Sequence, residues 1–337
     1  MKLNLEQIRK ITQGAEQVWQ QQDAIYFSRF TEDELALYQA RPEYYPAAAA
    51  TPGIQLVFRT DATGLELAVT APDQKLYRRY YAYDILVEDT LIGQLKNFPD
   101  DLENGHYDEA ELSRGPNRGY FPLGSGEKTL RIVFPWSVSL GLEVLNLENA
   151  TYCAPVKKAR KLLVYGDSIT QGACTLFPSG IYPLLLGKWL EAETISKGVG
   201  SEFYYPELAE RATLQNPDFI TVAYGCNDWY HLTREEFTRR CRAFWEILSR
   251  KYPDSRKFAL TPIWYLADYA PRPFGPLEEV ADTVRSTIWD LPDITVIDCL
   301  DFVSRDHRDF GDLYVHPNHL GFEKYFHSLK QAMEPYL

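Results

Sequence analysis

The chain has 337 residues, a formal net charge of −12 at pH 7 and a hydrophobic content of 45%. This length is more than one ordinary hydrophobic core uses, so we expect two domains. The negative charge disfavours nucleic acid and anionic membranes as partners and favours a neutral substrate.

Membrane and metal-binding classes are also disfavoured. No stretch approaches the ~20 apolar residues of a membrane helix, and the amino-terminal segment has no apolar run of the signal-peptide type, so we expect a cytoplasmic protein without a membrane partner. The five cysteines are odd in number and show no Cys-x-x-Cys spacing. We therefore expect free thiols and neither a metal nor a cofactor.

The first part of the chain predicts helices followed by β structure. Apolar residues between Leu5 and Trp19 recur at helical spacing, which predicts an amphipathic helix of about five turns. Thr31 and Glu34 have the spacing of a capping box at the start of a second helix. Short β-rich runs follow, separated by Gly, Pro, Asn and Asp, at Ile54–Phe58, Leu65–Thr70, Tyr77–Val87, Thr129–Phe134 and Leu142–Leu147. We expect residues 1–155 to form an accessory domain with a helix and a β-sandwich or jelly roll.

Residues 156–337 predict a second domain in which strands alternate with helices. Apolar strands are expected at Leu162–Tyr165, Thr194–Ser196, Phe219–Tyr224, Phe258–Thr261 and Ile294–Ile297. Amphipathic helices are expected around Phe244, Val284 and Phe326. Right-handed crossovers place such strands in a parallel sheet between helical layers, and the loops after the strands meet at one edge of the sheet.

Ser168 follows the first of these strands in the run Gly166-Asp167-Ser168. The carboxyl ends of strands are where open α/β sheets bind ligands, so Ser168 is a candidate nucleophile. Gly-Asp-Ser is also ordinary turn chemistry, and that alternative stays open. The surrounding residues match neither the Gly-x-Ser-x-Gly elbow nor a Walker phosphate loop.

Three later loops also carry polar residues after predicted strands. Gly225-Cys226-Asn227-Asp228 follows one strand, although this pattern is also common in plain turns. The segment 196–201, SKGVGS, contains glycines that let backbone N–H groups approach a ligand. The segment 311–318, GDLYVHPN, places a histidine just before the last helix.

These four blocks, GDSITQG, GVGS, GCND and HPN, stand in one order along the chain. In this combination residues 161–337 resemble the SGNH hydrolases, a branch of the GDSL esterases and lipases. The resemblance implies a flavodoxin-like three-layer α/β/α domain that hydrolyses esters with no metal. It implies that Ser168 is the nucleophile and His316 the base. The oxyanion hole would consist of the backbone N–H of Ser168, that of Gly200 or Ser201, and the Asn227 side chain.

The last block departs from the family pattern. The family places an aspartate three residues before the histidine, but that position is Leu313 here, and the nearest acid, Asp312, is four residues before His316. Either the loop accommodates the extra residue so that Asp312 reaches Nδ1 of His316, or a backbone carbonyl orients the imidazole. We expect Asp312, because a carboxylate stabilises an imidazolium better than a neutral carbonyl does.

The substrate is expected to be a carbohydrate ester, because the β-rich first half resembles the jelly roll fused to SGNH domains in some carbohydrate esterases. Candidate substrate-binding residues are Asp167, Trp229, Tyr230, Trp264 and Tyr265. The aromatic residues either stack on a sugar face or pack between helix and sheet.

We therefore expect hydrolysis of a short acyl ester, acetyl first, on a small-molecule or oligosaccharide substrate. The alternative enzyme is a lipid or generic short-chain esterase. The alternative of another class is a non-catalytic carbohydrate-binding protein on the same scaffold, which would be expected to lack Ser168 or His316; both are present.

Overall fold

A computed structural model describes residues 1–71, 80–99, 117–266 and 271–337. In its first half the strands are β1 (Thr12–Gln13), β2 (Gln17–Gln21), β3 (Ala24–Ser28), β4 (Gln55–Thr60), β5 (Gly64–Val69), β6 (Ala82–Val87), β7 (Thr90–Lys96), β8 (Arg118–Pro122), β9 (Lys128–Val133), β10 (Leu142–Glu148) and β11 (Cys153–Pro155). They form two antiparallel sheets. One has the order β1-β4-β9-β6-β7, with β11 paired to β4, and the other has the order β2-β3-β10-β5-β8.

The two sheets enclose one apolar core. Leu56 and Phe58 from one sheet and Leu65 and Leu67 from the other are at most 1% exposed and belong to the same cluster. This confirms the predicted β-sandwich, whereas its jelly-roll connectivity stays a prediction. The predicted strands are present with ends shifted by one or two residues, except that the strand predicted from Tyr77 begins at Ala82; residues 77–79 lie outside the described part.

The predicted five-turn helix at the amino terminus is wrong. Helix α1 (Leu5–Ile11) has seven residues, and β2 follows it. β2 pairs with β3 in a hairpin, from Gln17 opposite Ser28 to Gln21 opposite Ala24. Hydrogen bonding between these two strands overrides the helical spacing of the apolar residues, because strand pairing depends on a partner that one segment's periodicity does not reveal.

Two helices of the first half pack against the second half. Helix α2 (Glu32–Gln39) begins at the predicted capping box, in which Thr31 and Glu34 bond each other's backbone N–H groups. Helix α3 (Tyr45–Ala49) follows. Phe30 and Tyr38 belong to the core of the second half, not to that of the sandwich. We keep a two-domain division at residues 155 and 156 as a proposal, with these two helices packed across it.

The second half contains a parallel sheet, as predicted. Its strands are β12 (Arg160–Gly166), β13 (Ala192–Gly198), β14 (Phe219–Ala223), β15 (Arg256–Leu260) and β16 (Ile294–Ile297). Their order is β13-β12-β14-β15-β16, and every neighbouring pair is parallel. The first strand in sequence therefore lies beside the second and third, which is the flavodoxin-like order.

Helices cover both faces of this sheet. They are α4 (Ser168–Gln171), α5 (Tyr182–Trp189), α6 (Pro206–Arg211), α7 (Cys226–His231), α8 (Arg234–Lys251), α9 (Val280–Ile288) and α10 (His319–Met333). α8 contacts both α6 and α9 on one face, and α5 and α10 contact each other on the other face, as right-handed crossovers require. In the described ranges, no helix combines the length and the apolar character that crossing a membrane requires.

Candidate active site

Ser168 lies between strand β12 of the parallel sheet and the short helix α4. β12 ends at Gly166, Asp167 is the N-cap of α4, and Ser168 is the first residue of that helix. The Asp167 carboxylate accepts a hydrogen bond from the Ile169 N–H at 3.0 Å, which fixes the turn. Ser168 is half-buried, and its own N–H has no hydrogen-bond partner within the described part of the chain. This N–H is therefore open to a ligand at the carboxyl edge of the sheet.

His316 lies between Ser168 and Asp312. Its Nε2 is 2.8 Å from Ser168 Oγ, and its Nδ1 is 2.6 Å from Asp312 Oδ2. Because the carboxylate accepts the Nδ1–H, the lone pair of the neutral imidazole is on Nε2 and faces the serine hydroxyl. The structure thus brings the predicted nucleophile, base and acid into one hydrogen-bonded line.

The loop before α10 accommodates the extra residue between Asp312 and His316. Leu313 adopts a left-handed conformation with φ of 67°, which shortens the path of the backbone. Asp312 Oδ1 accepts the N–H groups of Tyr314, Val315 and His316 at 2.9, 2.9 and 3.1 Å, and Oδ2 remains for the imidazole. Of the two arrangements that the sequence left open, the carboxylate is therefore the one that contacts Nδ1.

Asp312 and His316 shift each other's pKa in opposite directions. Burial raises the pKa of Asp312, but the hydrogen bond and the charge of His316 outweigh burial and hold that pKa below its usual range. Burial lowers the pKa of His316, but the hydrogen bond to Asp312, followed by contact with the Cys174 thiol, raises it above its usual range. The pair therefore favours an imidazolium, the form that a base adopts once it has taken a proton.

The GVGS segment, residues 198–201, is called the glycine block below. It offers Ser201 rather than Gly200 as an oxyanion donor. The Gly200 N–H donates to the buried Oε1 of Gln171 at 2.6 Å and is not free for a ligand, which corrects that half of the prediction. Ser201 is exposed, has φ of 63°, and its N–H has no partner among the residues that the structure describes. We therefore retain Ser201 as the candidate donor of this block.

Asn227 lies in the first turn of α7, just beyond β14. Gly166 of β12 stands opposite Ala223 of β14, so Ser168 and Asn227 follow neighbouring strands at the same edge of the sheet. Asn227 is half-buried, and one of its amide N–H groups donates to the carbonyl of Glu202 at 3.0 Å. Its Nδ2 has a second N–H, which no described residue accepts, so that one is open to a ligand.

The predicted aromatic candidates differ in exposure. Trp229, Trp264 and Tyr265 are 4%, 6% and 3% exposed and belong to the core of the second half, which corresponds to the packing alternative. Tyr230 is 37% exposed, and the Arg272 guanidinium lies 3.6 Å from its ring centroid. Tyr230 therefore stays a candidate for substrate contact, and the other three are structural.

Two buried carboxyl groups underlie the site without reaching its surface. Asp167, predicted to bind substrate, is 2% exposed and caps α4 instead, because its carboxylate is held by the turn. Burial raises its pKa to about 6, although the Ile169 N–H and the charge of His316 oppose the shift. Asp228 is fully buried, accepts the Tyr204 N–H at 3.1 Å, and has its pKa raised by burial to about 7. Asp167 therefore fixes the turn before α4, and Asp228 connects α7 to the segment that contains Tyr204.

Gln171 also supports the site, although the sequence alone did not single it out. It is fully buried in α4, its Oε1 accepts the Gly200 N–H, and its Nε2 donates to the carbonyls of Trp136 and Ala47 at 3.0 and 3.4 Å. It thus connects the helix of Ser168 to the glycine block and to the first half of the chain. The available signal was a long polar residue inside the GDSITQG block.

Arg29 is a second missed position. It is fully buried, and its guanidinium donates only to backbone carbonyls, those of Ala47, Ala48, Ala50, Ser196 and Gly198. Ser196 and Gly198 lie at the carboxyl end of β13, and Gly198 is the first residue of the glycine block. A buried guanidinium supplies in one side chain the donors that these carbonyls need in the absence of water.

Replacing Arg29 with methionine is expected to lower the free energy of unfolding by about 3–5 kcal/mol, because several buried carbonyls lose their donor. Urea denaturation measures the change. Arg285→Met is the matched control, because Arg285 pairs with Asp282 on the surface, and its loss should hardly alter the midpoint. Equal midpoints for the two variants would contradict the anchoring role of Arg29.

Residues 164–324 match the GDSL-like Lipase/Acylhydrolase family. This segment begins inside β12 and contains Ser168, Asn227 and His316 in the geometry described above. It forms a GDSL-like lipase/acylhydrolase domain. Because the family consists of lipases and acylhydrolases, the chain is an ester-bond hydrolase. No curated protein matches the sequence.

Solved structures resemble the GDSL-like domain and the β-sandwich together. The salicylyl-acyltransferase SsfX3 of a tetracycline biosynthetic pathway has a TM-score of 0.75 at 16% identity, over 96% of this chain and 94% of that one. A family 2 carbohydrate esterase from Cellvibrio japonicus has a TM-score of 0.63 at 16% identity, over 99% and 98%. One from Corynascus thermopiles (Myceliophthora fergusii), with a carbohydrate-binding domain, has a TM-score of 0.64 at 15% identity, over 85% and 94%. At such identities the likeness shows the fold.

Proposed function

We propose that the GDSL-like domain removes short O-acyl groups, acetyl first, from carbohydrates through a serine acyl-enzyme. The observation that carries this proposal is the hydrogen-bonded line from Ser168 Oγ through His316 to Asp312, with distances of 2.8 and 2.6 Å. A serine hydroxyl is a weak nucleophile unless a base lies within hydrogen-bond reach and a third group orients that base. Both conditions hold for these side chains, because the fold brings Ser168 to the loop that carries Asp312 and His316, and His316 is 148 residues further along the chain.

The acylation step begins with attack of Ser168 Oγ on the ester carbonyl. As the bond forms, His316 Nε2 takes the hydroxyl proton, and the Asp312 carboxylate stabilises the resulting imidazolium. The tetrahedral intermediate then collapses, the alkoxide leaves, and His316 donates its proton to that oxygen. The products are the free alcohol and an acyl ester of Ser168.

Deacylation repeats the same transfers with water as the nucleophile. His316 Nε2 accepts a proton from the water that attacks the acyl carbonyl, and it returns the proton to Ser168 Oγ when the carboxylic acid leaves. In both steps negative charge develops on the carbonyl oxygen. The N–H groups of Ser168 and Ser201 and the free amide N–H of Asn227 are our candidates to bind it, each worth about 3 kcal/mol in comparable sites.

Two features support a short acyl group on a sugar. The loops around Gly166, Gly200 and Asn227 are compact and polar, and they supply no long apolar lining for a fatty acyl chain. Exposed aromatic residues lie in the same chain segments as the catalytic groups: Tyr314 is in the His316 loop and is 60% exposed, and Tyr230 follows Asn227 in α7. Aromatic faces of this kind suit amphipathic ligands such as sugars.

We expect kcat/KM to fall as the acyl chain of 4-nitrophenyl esters lengthens from acetyl through butyryl to octanoyl. Acetylated mono- and oligosaccharides are expected to be better substrates than 4-nitrophenyl acetate. Acetate release and absorbance measure the two series. A preference for octanoyl would support a lipid esterase, and equal use of sugar and aryl acetates would support a generic esterase. Binding of acetylated sugars without acetate release would support the non-catalytic alternative.

A further inference from the structure

Cys174 lies beside the proposed catalytic pair. Its Sγ, a carboxylate oxygen of Asp312 and a ring nitrogen of His316 all lie within 4.8 Å of one another. Across the residues that the structure describes, no other three His, Cys, Asp or Glu side chains converge in this way. Cys174 is half-buried, and the side chains of His316 and Asp312 are 21% and 29% exposed, so the cluster is reachable from solvent.

The backbone holds Cys174 in this position. Cys174 has φ of 67°, and its carbonyl packs against Gly311, where an added Cβ would lie 2.4 Å from that oxygen. Only a glycine therefore allows this close approach of the two loops. The carbonyl of the next residue, Thr175, accepts the Nε1–H of Trp136, in the first half of the chain, at 2.9 Å. The thiol is thus placed beside the imidazole by two separate constraints.

The three ligand types select a particular ion. Thiolate, imidazole and carboxylate together are a common zinc ligand set, whereas hard ions such as Mg²⁺ avoid sulfur. Zinc binds sulfur at about 2.3 Å and nitrogen or oxygen at about 2.0 Å, so side-chain movements of about 1 Å bring all three ligands to one ion. The thiolate and the carboxylate balance the charge of Zn²⁺, and the net charge of −12 attracts cations.

We propose that Cys174, Asp312 and His316 form a Zn²⁺ site whose occupation inhibits the enzyme. Both ring nitrogens of His316 are already engaged, Nδ1 with Asp312 and Nε2 with Ser168. A metal on either nitrogen therefore removes the base from Ser168 or the carboxylate from the base. The sequence predicted no metal, because the cysteine is 138 residues before Asp312 and has no ligand at zinc-finger spacing; hydrolysis itself requires none.

The test is titration of the purified, chelator-free enzyme with zinc chloride. Binding is followed by competition with a chromogenic zinc chelator, and inhibition by hydrolysis of 4-nitrophenyl acetate. The binding measurement does not depend on the proposed function, whereas the inhibition measurement rests on it. One Zn²⁺ per chain is expected, with inhibition that follows occupancy and is reversed by EDTA, and with no effect of Mg²⁺ at the same concentration.

Cys174→Ser is expected to weaken Zn²⁺ binding by more than the 10–100-fold that loss of an outer-shell partner costs. Cys153→Ser is the matched control, because Cys153 is also half-buried but lies in β11, and it should bind and respond as the unmodified enzyme does. The proposal is overturned if Cys174→Ser and Cys153→Ser bind Zn²⁺ equally, or if a saturated site leaves an otherwise active enzyme uninhibited. If the unmodified chain binds zinc but hydrolyses no ester, the site stands and the proposed function fails.

Discussion

Ser168→Ala is expected to reduce ester hydrolysis by about 10⁴-fold or more, because without its Oγ no acyl-enzyme can form. The fold should be retained, since Ser168 is half-buried at the start of a helix and alanine suits that position. kcat/KM for 4-nitrophenyl acetate measures the loss, and thermal melting checks the fold.

A fluorophosphonate probe tests the same serine by covalent labelling. We expect one adduct, on the peptide that contains Ser168, and no adduct in Ser168→Ala. A folded Ser168→Ala protein that still turns over acetyl esters at the unmodified rate would rule out this nucleophile. An adduct on a different serine would indicate that this other serine, and not Ser168, is the nucleophile.

Asp312→Asn is expected to lower kcat by about 10⁴-fold, the effect seen when the orienting carboxylate of other triads becomes an amide. An asparagine can still accept the backbone N–H groups of the loop, but its side chain carries no charge to stabilise the imidazolium. Asp306→Asn is the control, because Asp306 is an acid of the same region that pairs with Arg308 and not with His316. It should remain close to the unmodified enzyme.

The pH profile of kcat/KM distinguishes loss of the Asp312 charge from general disruption of the active site. Asp312 raises the pKa of His316, and the base works only when it is unprotonated, so activity should be lost as the pH falls through that raised pKa. Removing the carboxylate lowers the pKa of His316, and the acid limb of kcat/KM should move to lower pH. Activity of Asp312→Asn within a few-fold of the unmodified enzyme, beside an inactive His316→Ala, would indicate a Ser168–His316 dyad.

The sequence alone was sufficient for the parallel sheet and for the line from Ser168 to His316. Strands β12 and β14 contain apolar runs bounded by loop residues, and a strand that is buried on both faces of a sheet shows this pattern. Because parallel strands end at one edge, polar residues after different strands were expected to meet there. The capping box at Thr31 was also predictable from the sequence, because it depends only on the spacing of Thr31 and Glu34.

Other features depended on contacts between distant residues. The segment after Ile11 pairs with β3 rather than continuing a helix, and three of the four aromatic candidates turned out to be buried. Their burial depends on which helices cover them, and spacing along the chain does not record that. Spacing along the chain also did not predict the roles of Arg29 and Gln171 or the position of Cys174. Each of these residues contacts atoms more than 20 residues away or in the opposite half of the molecule.

The sequence by itself determined which residue types stand at the ends of the strands, and therefore the class of chemistry: a serine, a histidine, an asparagine and a nearby acid in the order of the GDSL-like family. Only the tertiary structure decided which atoms meet. Asp312 reaches His316 because Leu313 takes a left-handed conformation, and Gly200 is unavailable because Gln171 accepts its N–H. Hydrogen bonds require partners within about 3 Å, and such distances arise from the packing of elements far apart in sequence.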